Sequence, residues 1–177
     1  DLSRVNPAGG AFPIEKLDWL NGVYIRDMAD DELARRLLPV FTGAGYAAEL
    51  EQMRRVVPLI KVRIKTLNDA LDMAGFIFSD SFTPPPADQL IQKGMDAPRT
   101  QAALQAAADH LAALPDFNAA TQEPALRALA SELGLKTGQL FGALRAATTG
   151  QQVSPPLFET MEVLGREEAL KRIRQAI

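Results

Sequence analysis

Residues 135–173 read LKTGQLFGALRAATTGQQVSPPLFETMEVLGREEALKRI, and this stretch decides the fold. Thr137 can cap a helix that runs to Gly150, a residue free to take the left-handed conformation in which helices close. VSPP then makes a rigid turn, since each proline fixes its own φ and withholds an N–H. LFETMEVLG and REEALKRIRQAI are two further helices. Strand-like alternation of β-branched and polar residues is scarce along the whole chain, and 28 alanines in 177 residues favour helix throughout. The sequence predicts an all-α fold.

Toward the N-terminus, QEPALRALASELGL is a helix ended by Gly134 and APRTQAALQAAADHLAAL is a longer one, with a turn at PDFN between them. SFTPPPADQL is the clearest break. Pro84, Pro85 and Pro86 form a stiff extended connector that divides the chain into two helical units. In the first unit Asp30 occupies an N-cap position ahead of DELARRLLPVF, whose early acids suit the helix dipole, and Gly43 and Gly45 end that helix. AELEQMRRVV is another. Pro58 suits the first turn of the next, LIKVRIKTLNDALDMA, where Ile60, Ile64, Leu67 and Leu71 recur at i, i+4, i+7 and i+11 as one buried stripe. Lys61 and Lys65 point away from that stripe, and Arg63 lies at its border. EKLDWLNGVYIRDM is a helical stretch with Leu17, Trp19 and Leu20 as apolar anchors. The residues before it, punctuated by Pro7, Gly9, Gly10 and Pro13, read as irregular.

The chain carries 19 Lys+Arg against 22 Asp+Glu, a net charge of −3, with 47% hydrophobic and 23% charged residues. That is the balance of an ordinary globular protein, long enough to bury a substantial core. Zero cysteines exclude a disulfide framework, a Cys-ligated zinc site and a cysteine nucleophile. His110, the single histidine, sits in an alanine-rich helix and reads as a surface or partly packed residue. GAFP, GAGY and TGQQV contain glycine without forming a phosphate-cradling loop. Asp30-Asp31-Glu32 reads as a helix start rather than a metal site, and the other carboxylates are scattered. The residues therefore predict no catalytic group, no metal site and no cofactor in this chain. No apolar run approaches the roughly 18 residues needed to span a bilayer, and no signal peptide is visible, so a cytoplasmic protein without a membrane partner is expected.

Charge distribution says more than net charge. Arg54, Arg55, Lys61, Arg63 and Lys65 fall in a window without acids, and so do Lys136 and Arg145 between Leu133 and Phe158. The last helix adds Arg166, Lys171, Arg172 and Arg174 against Glu167 and Glu168. Such windows are solvated helix faces or a local anion-binding surface. In VSPPLF, Ser154 offers a hydroxyl, Pro155 and Pro156 fix the backbone, and Leu157 and Phe158 supply apolar surface; beside Arg145 this turn could hold splayed, single-stranded bases by stacking and edge hydrogen bonds. The alternative is that Leu157 and Phe158 simply begin a core helix, a reading that fits Phe158 better than Leu157.

KLDWLNGVYIR (Lys16 to Arg26) and the Leu135 to Ile173 stretch resemble the C-terminal half of bacterial glutamyl-tRNA synthetase. The second block is similar to the family's K-x-G-x-x-x-x-x-L-R-x-A-x-T-G helix, followed by a short loop, S/T-P-x-L-F and x-x-L-G. The resemblance implies residues 1–26 as the end of a stem-contact region, 27–95 as a first and 96–177 as a second helical anticodon-binding subdomain, caging the anticodon loop of glutamate tRNA. The family's nucleotide-binding domain, with its H-I-G-H-type and K-M-S-K-S-type signatures, has no counterpart here. By resemblance, then, the parent enzyme is a glutamate–tRNA ligase using ATP and Mg in that other domain, while this chain, which starts abruptly at Asp1, is expected to be an excised portion that binds RNA without aminoacylating it.

The same resemblance assigns site residues. Arg145 stands where the family's L-R arginine contacts the anticodon, and Ser154, Pro155 and Leu157 match the S/T-P-x-L positions that hold its first two bases. The family often carries glycine where Pro156 stands. Arg63 matches an arginine that reads the third anticodon base: its guanidinium only donates, so it suits the acceptor atoms of cytosine and not the N–H groups of guanine. Lys61, Lys65 and Lys136 are the phosphate-contact candidates. A monomer with no DNA partner is expected. The rival is a helical protein-interaction module of similar architecture, binding a partner through an apolar groove with little sensitivity to salt.

Overall fold

Proline, glycine and short polar side chains set the ends of most elements in the computed structural model, which describes residues 13–79 and 81–177. The described residues form α-helices and one 3-10 turn, with no strand. The first unit holds α1 (Ile14–Asp27), α2 (Asp30–Gly43), α3 (Leu50–Ile60) and α4 (Asp69–Ala74), followed by the 3-10 turn Gly75–Ile77. After the proline connector come α5 (Ala87–Leu90), α6 (Ala97–Ala113), α7 (Ala119–Glu132), α8 (Thr137–Thr149), α9 (Leu157–Leu164) and α10 (Arg166–Gln175). The irregular stretch with Pro7, Gly9 and Gly10 lies outside the described residues.

Each unit has its own core. In the first, α2 presents Leu33, Leu37 and Phe41 to Met53, Val56, Val57 and Ile60 of α3, all fully buried. Burying each such side chain contributes about 1.5–3 kcal/mol. Phe41 meets Phe78 edge-on, with ring centroids 4.8 Å apart. Tyr46 closes over Gly75, where a Cβ would come within 2.6 Å of its hydroxyl oxygen, so that position admits no side chain without displacing the ring. In the second unit α6 buries Thr100, Ala103, Leu104, Ala107, Ala108 and Leu111, a helical stripe rich in alanine that lets α8 and α10 pack closely against it. Leu90 of α5 belongs to this second core and Ile25 of α1 to the first, so the packing changes hands within the segment that contains Pro84 to Pro86.

Caps explain several boundaries. Asp96 accepts from the Arg99 amide at 2.9 Å to start α6, and Asn118 accepts from the Thr121 amide at 3.0 Å to start α7. Asn118→Ala is expected to cost about 1 kcal/mol of stability, read as a lower urea midpoint with unchanged slope. Gly150, at φ +71°, ends α8 in the left-handed conformation its position predicts. Two expected caps act differently. Asp30 is the first residue of α2 and Thr137 the first of α8; neither caps with its side chain, and the Asp30 carboxylate instead pairs with Lys61 at 2.8 Å.

The helix expected over LIKVRIKTLNDALDMA is broken. α3 runs through Pro58 to Ile60, the chain turns over residues 61–68, and α4 starts anew at Asp69. The Asp69 carboxylate is the cause: it accepts from the Lys65 and Thr66 amides at 2.8 and 3.0 Å and from the Thr66 hydroxyl at 2.6 Å, offering those backbone donors a partner outside the helix. The apolar stripe survives the break, with Ile60 and Ile64 fully buried and Leu67 and Leu71 packed on the same core. The anchors expected on α1 are not buried. Trp19 is 62% and Tyr24 65% exposed, Leu17 and Leu20 are also exposed, and α1 buries only Gly22 and Ile25 among the described residues.

One side chain ties the two units together. Arg172 of α10 is 1% exposed; it donates to Glu168 at 2.8 Å, to the Thr148 carbonyl at the end of α8 at 3.1 Å, and to the Phe76 carbonyl in the first unit at 3.0 Å. Its guanidinium lies 4.4 Å from the Phe82 ring centroid. Its place in the charged run of the last helix does not announce this; among the described residues it is the largest fully buried side chain.

Candidate nucleic-acid interface

Most of the clustered bases are consumed by the fold. Arg54 pairs with Asp31 at 2.7 Å and with Glu51 at 3.0 Å, Arg55 donates to the Glu162 carbonyl, and Lys61 is held by the Met28 carbonyl and Asp30. In the last helix Arg166 donates to the Ala112 and Pro115 carbonyls, and Lys171 pairs with Glu168. A window free of acids along the chain therefore finds its acids across the fold. Lys61 does not point away from the structure; it clamps the start of α2. Arg63, Lys65, Lys136 and Arg145 keep side chains with no ion pair or hydrogen bond among the described residues.

Arg63 sits exposed on the 61–68 turn that Asp69 staples in place. That turn faces the segment after α8. Thr149 donates to the Arg145 carbonyl at 2.8 Å and accepts from the Gln151 amide at 3.1 Å, which fixes the chain as it leaves the helix. Gln151 then reaches the Asp72 carbonyl on α4 at 2.8 Å, and Gln152 reaches the Gln89 carbonyl at 2.6 Å. Both carboxamides hold the loop against neighbouring elements. Between turn and loop lies a cleft of about 400 Å³ lined by Arg63, Asp69, Asp72, Met73, Gln151, Val153 and Ser154. Two residues singled out from sequence, Arg63 and Ser154, thus share one open site although 91 positions separate them.

The other candidates, Arg145, Pro155 and Leu157 among them, do not line it. Ser154 donates to the Pro155 carbonyl at 3.0 Å, and Pro155 is buried. Arg145, on α8, is half-buried, and its Nε is shielded from solvent without a hydrogen-bond partner; such a donor is an uncommon thing for a fold to leave unspent. Leu157 is 4% exposed and Phe158 8%, so both begin a core helix, contrary to the expectation that Leu157 stays out of the core. Phe158 stacks edge-on against Phe141 at 4.9 Å. Lys65 and Lys136 are exposed but do not line this cleft. His110 is exposed, with Nδ1 3.1 Å from the Ala106 carbonyl. Sequence reading missed Asp69, Asp72, Met73, Gln151 and Val153. Only Asp69 carried a local signal, the T-L-N-D spacing that lets its carboxylate close a turn on Thr66.

Electrostatics bear on stability. Burial alone would raise the Asp69 carboxyl, but the Thr66 hydroxyl and the Lys65 and Thr66 amides outweigh it and hold the group below its ordinary value. Burial likewise pushes Glu168 up, while Arg172 and Lys171 pull it down further. Both folded-state values lie below the unfolded ones of about 3.9 and 4.3. The stability they contribute is fully present above those values and is lost as pH falls through the folded ones. The urea midpoint is expected to stay level from neutral pH down to about pH 5.5 and to drop below about pH 4. Asp69→Asn should lower the neutral-pH midpoint and flatten that drop.

Among the described residues no group of three or more His, Cys, Asp and Glu could hold a metal ion, and no helix is long and apolar enough to cross a membrane. A sequence profile of the anticodon binding domain matches residues 32–177. The chain is 47% identical over 181 residues to a glutamate–tRNA ligase of Dehalococcoides mccartyi, covering 99% of this chain and 37% of that protein. It is 43% identical over 182 residues to the one from Roseiflexus castenholzii, covering 99% and 36%. The crystal structure of a glutamate tRNA ligase from Elizabethkingia meningosepticum superimposes with a TM-score of 0.82 at 26% identity, covering 99% of this chain and 34% of that one. The chain thus spans little more than a third of the length of the relatives it matches. With a helical cage in two units, an open cleft between an arginine-bearing turn and a proline-stiffened loop, and a profile match over most of its length, the chain belongs to the anticodon binding domain family.

Proposed function

We propose that this chain recognises the anticodon loop of glutamate tRNA as the RNA-reading part of a glutamate–tRNA ligase. The observation that carries the reading is the shared cleft: the Arg63 turn of one unit and the Ser154 loop of the other bound a single space, and Arg63 and Arg145 keep guanidinium donors unspent. Unpaired bases offer both π-faces and hydrogen-bonding edges. Met73 and Val153 supply apolar surface for a base plane, and Arg63 supplies donors for its edge. Pro155 and Pro156 hold the loop in one conformation before any base arrives, which spares the ordering cost of binding. Leu157, buried at the start of α9, anchors the loop's exit rather than presenting its side chain to RNA. In this reading ATP and Mg serve the ligation chemistry elsewhere in the parent enzyme, the chain acts as a monomer in the cytoplasm, and DNA is not a ligand.

The test is binding of the chain to a glutamate-tRNA anticodon stem-loop and to a loop with its anticodon bases replaced. Tighter binding of the first is expected, and equal affinity for both would reject base reading. Arg63 is the one cation among the described residues that lines the cleft, so only a few phosphates are expected to be neutralised there. Log affinity is expected to fall with log salt at a shallow slope, near the low end of roughly −0.7 per phosphate contacted. The slope is measurable by titration at several ionic strengths. A salt-insensitive interaction with a protein partner would favour the interaction-module alternative.

A further inference from the structure

Two adjacent residues tether the loop between α8 and α9 in opposite directions. Gln152 donates to the Gln89 carbonyl of α5, in the loop's own unit, at 2.6 Å. Gln151 donates to the Asp72 carbonyl of α4, in the first unit, at 2.8 Å. The ends of the loop are set without Gln151's side chain: Thr149 accepts from the Gln151 amide, Pro155 is buried, and Leu157 belongs to the second core. Those contacts fix the loop to its own unit and leave its distance from α4 open. Among the described residues Arg55 and Arg172 also donate across the units, but neither lines the cleft, whereas Gln151 and Asp72 both do. The acceptor is a helix carbonyl, which cannot swing as a side chain can. Hydrogen bonds to a base hold only within about 2.7–3.2 Å. A shift of about 1 Å between the two walls would therefore leave an inserted base within reach of only one of them.

We propose that Gln151 is a positioning residue for RNA: its bond to the Asp72 carbonyl holds the Val153–Ser154 edge of the loop at a set distance from α4 before any nucleotide enters. This rests on the anticodon-loop reading above. Gln151 acts through the loop and not by touching a base. Without its bond, the loop edge stands away from α4 for part of the time, and only the fraction of molecules with the edge in place accepts the anticodon. Apparent affinity falls by that fraction. The loss appears in association, because the contacts of the bound state are unchanged. A side chain that touched the base would give the opposite pattern, faster dissociation at an unaltered association rate. The proposal also ties Gln151 to Arg63 on the facing turn. Wall spacing matters only while both walls hold the base, so removing Arg63 should remove most of the effect of Gln151.

Stopped-flow fluorescence of the whole chain with a labelled glutamate-tRNA anticodon stem-loop tests this, with a loop whose anticodon bases are replaced as the reference. Gln151→Met keeps the side-chain length without the donor. It is expected to slow association about threefold to tenfold and to change dissociation by less than about twofold. Gln151→Asn keeps the carboxamide but is one methylene too short to reach Asp72, and should slow association equally. Both changes are neutral, so electrostatic steering is untouched. In an Arg63→Ala background the cost of Gln151→Met should shrink to less than about twofold. Circular dichroism checks that each variant keeps its fold, and Gln151→Asn carries the test if the methionine variant does not. Faster dissociation at an unchanged association rate overturns the proposal and makes Gln151 a direct contact. Unchanged rates overturn it too, as does a cost that persists in full beside Arg63→Ala. All three leave the anticodon reading standing if the unaltered protein still prefers the anticodon loop. Equal binding of the two loops by the unaltered protein overturns both.

Discussion

Arg172→Met is expected to lose about 3–5 kcal/mol of folding stability, the cost of removing one partner from a buried charged network. Methionine matches much of the volume but none of the bonding. It strands the Thr148 and Phe76 carbonyls, leaves Glu168 facing its former partner's site, and gives up the stacking on Phe82. A buried carbonyl without a donor costs on the order of 1–3 kcal/mol by itself. Urea denaturation followed by circular dichroism reads the loss. Arg172→Lys keeps a charge near Glu168 but lacks the planar fork that serves two carbonyls at once, so it should fall between the two. The effect reaches the cleft as well. Phe76 follows α4, which carries Asp72, and Thr148 lies just before the loop that carries Gln151 and Ser154, so the same side chain sets how the two walls stand to each other.

Arg145→Ala is expected to weaken binding of the glutamate anticodon stem-loop by about tenfold to a hundredfold, the range for losing a charge-assisted hydrogen bond of about 1.5–3 kcal/mol. The expectation stands on the half-buried guanidinium and its unpartnered Nε. A group held in place by packing, with donors to spare, loses little entropy when it engages a base or phosphate. Arg145→Lys should recover only part of the affinity, since a point charge on a flexible stem cannot replace a fixed fork. Thermal unfolding of Arg145→Ala should change little, because the side chain has no hydrogen bond or ion pair among the described residues; an equally large loss of stability and of binding would instead mark Arg145 as a structural residue.

The second unit was easier to read from its sequence than the first, and the reason is local. Gly134, Gly150, the two prolines at 155 and 156 and Gly165 mark helix ends through backbone conformation alone, which depends on each residue and not on distant partners. The break within LIKVRIKTLNDALDMA was hidden because its apolar spacing suits a helix and Ile60 and Ile64 are indeed buried. The decisive event is a carboxylate three residues from Thr66 competing for backbone donors. The cleft was half legible. Arg63 and Ser154 belong to motifs, but Asp72 joins them only because Gln151 reaches it across 79 positions of chain. Arg172 and Lys61 were misread for a similar reason: nothing near them in sequence shows that carbonyls from elsewhere will surround their charges. The exposed face of α1 was misread in the opposite sense, since apolar spacing predicts burial without saying what does the covering.

Arg54, Lys61, Arg127 and Lys171 each stand beside a carboxylate, so much of their charge is offset where they sit. With so many cations paired to acids on a chain of net charge −3, little long-range attraction draws polyanions to its surface. On the proposed reading, bulk RNA drifting past would be held weakly, and residence would be gained by a strand able to insert splayed nucleotides. Selectivity in a crowded cell thus begins at diffusional encounter, before any base is compared with another.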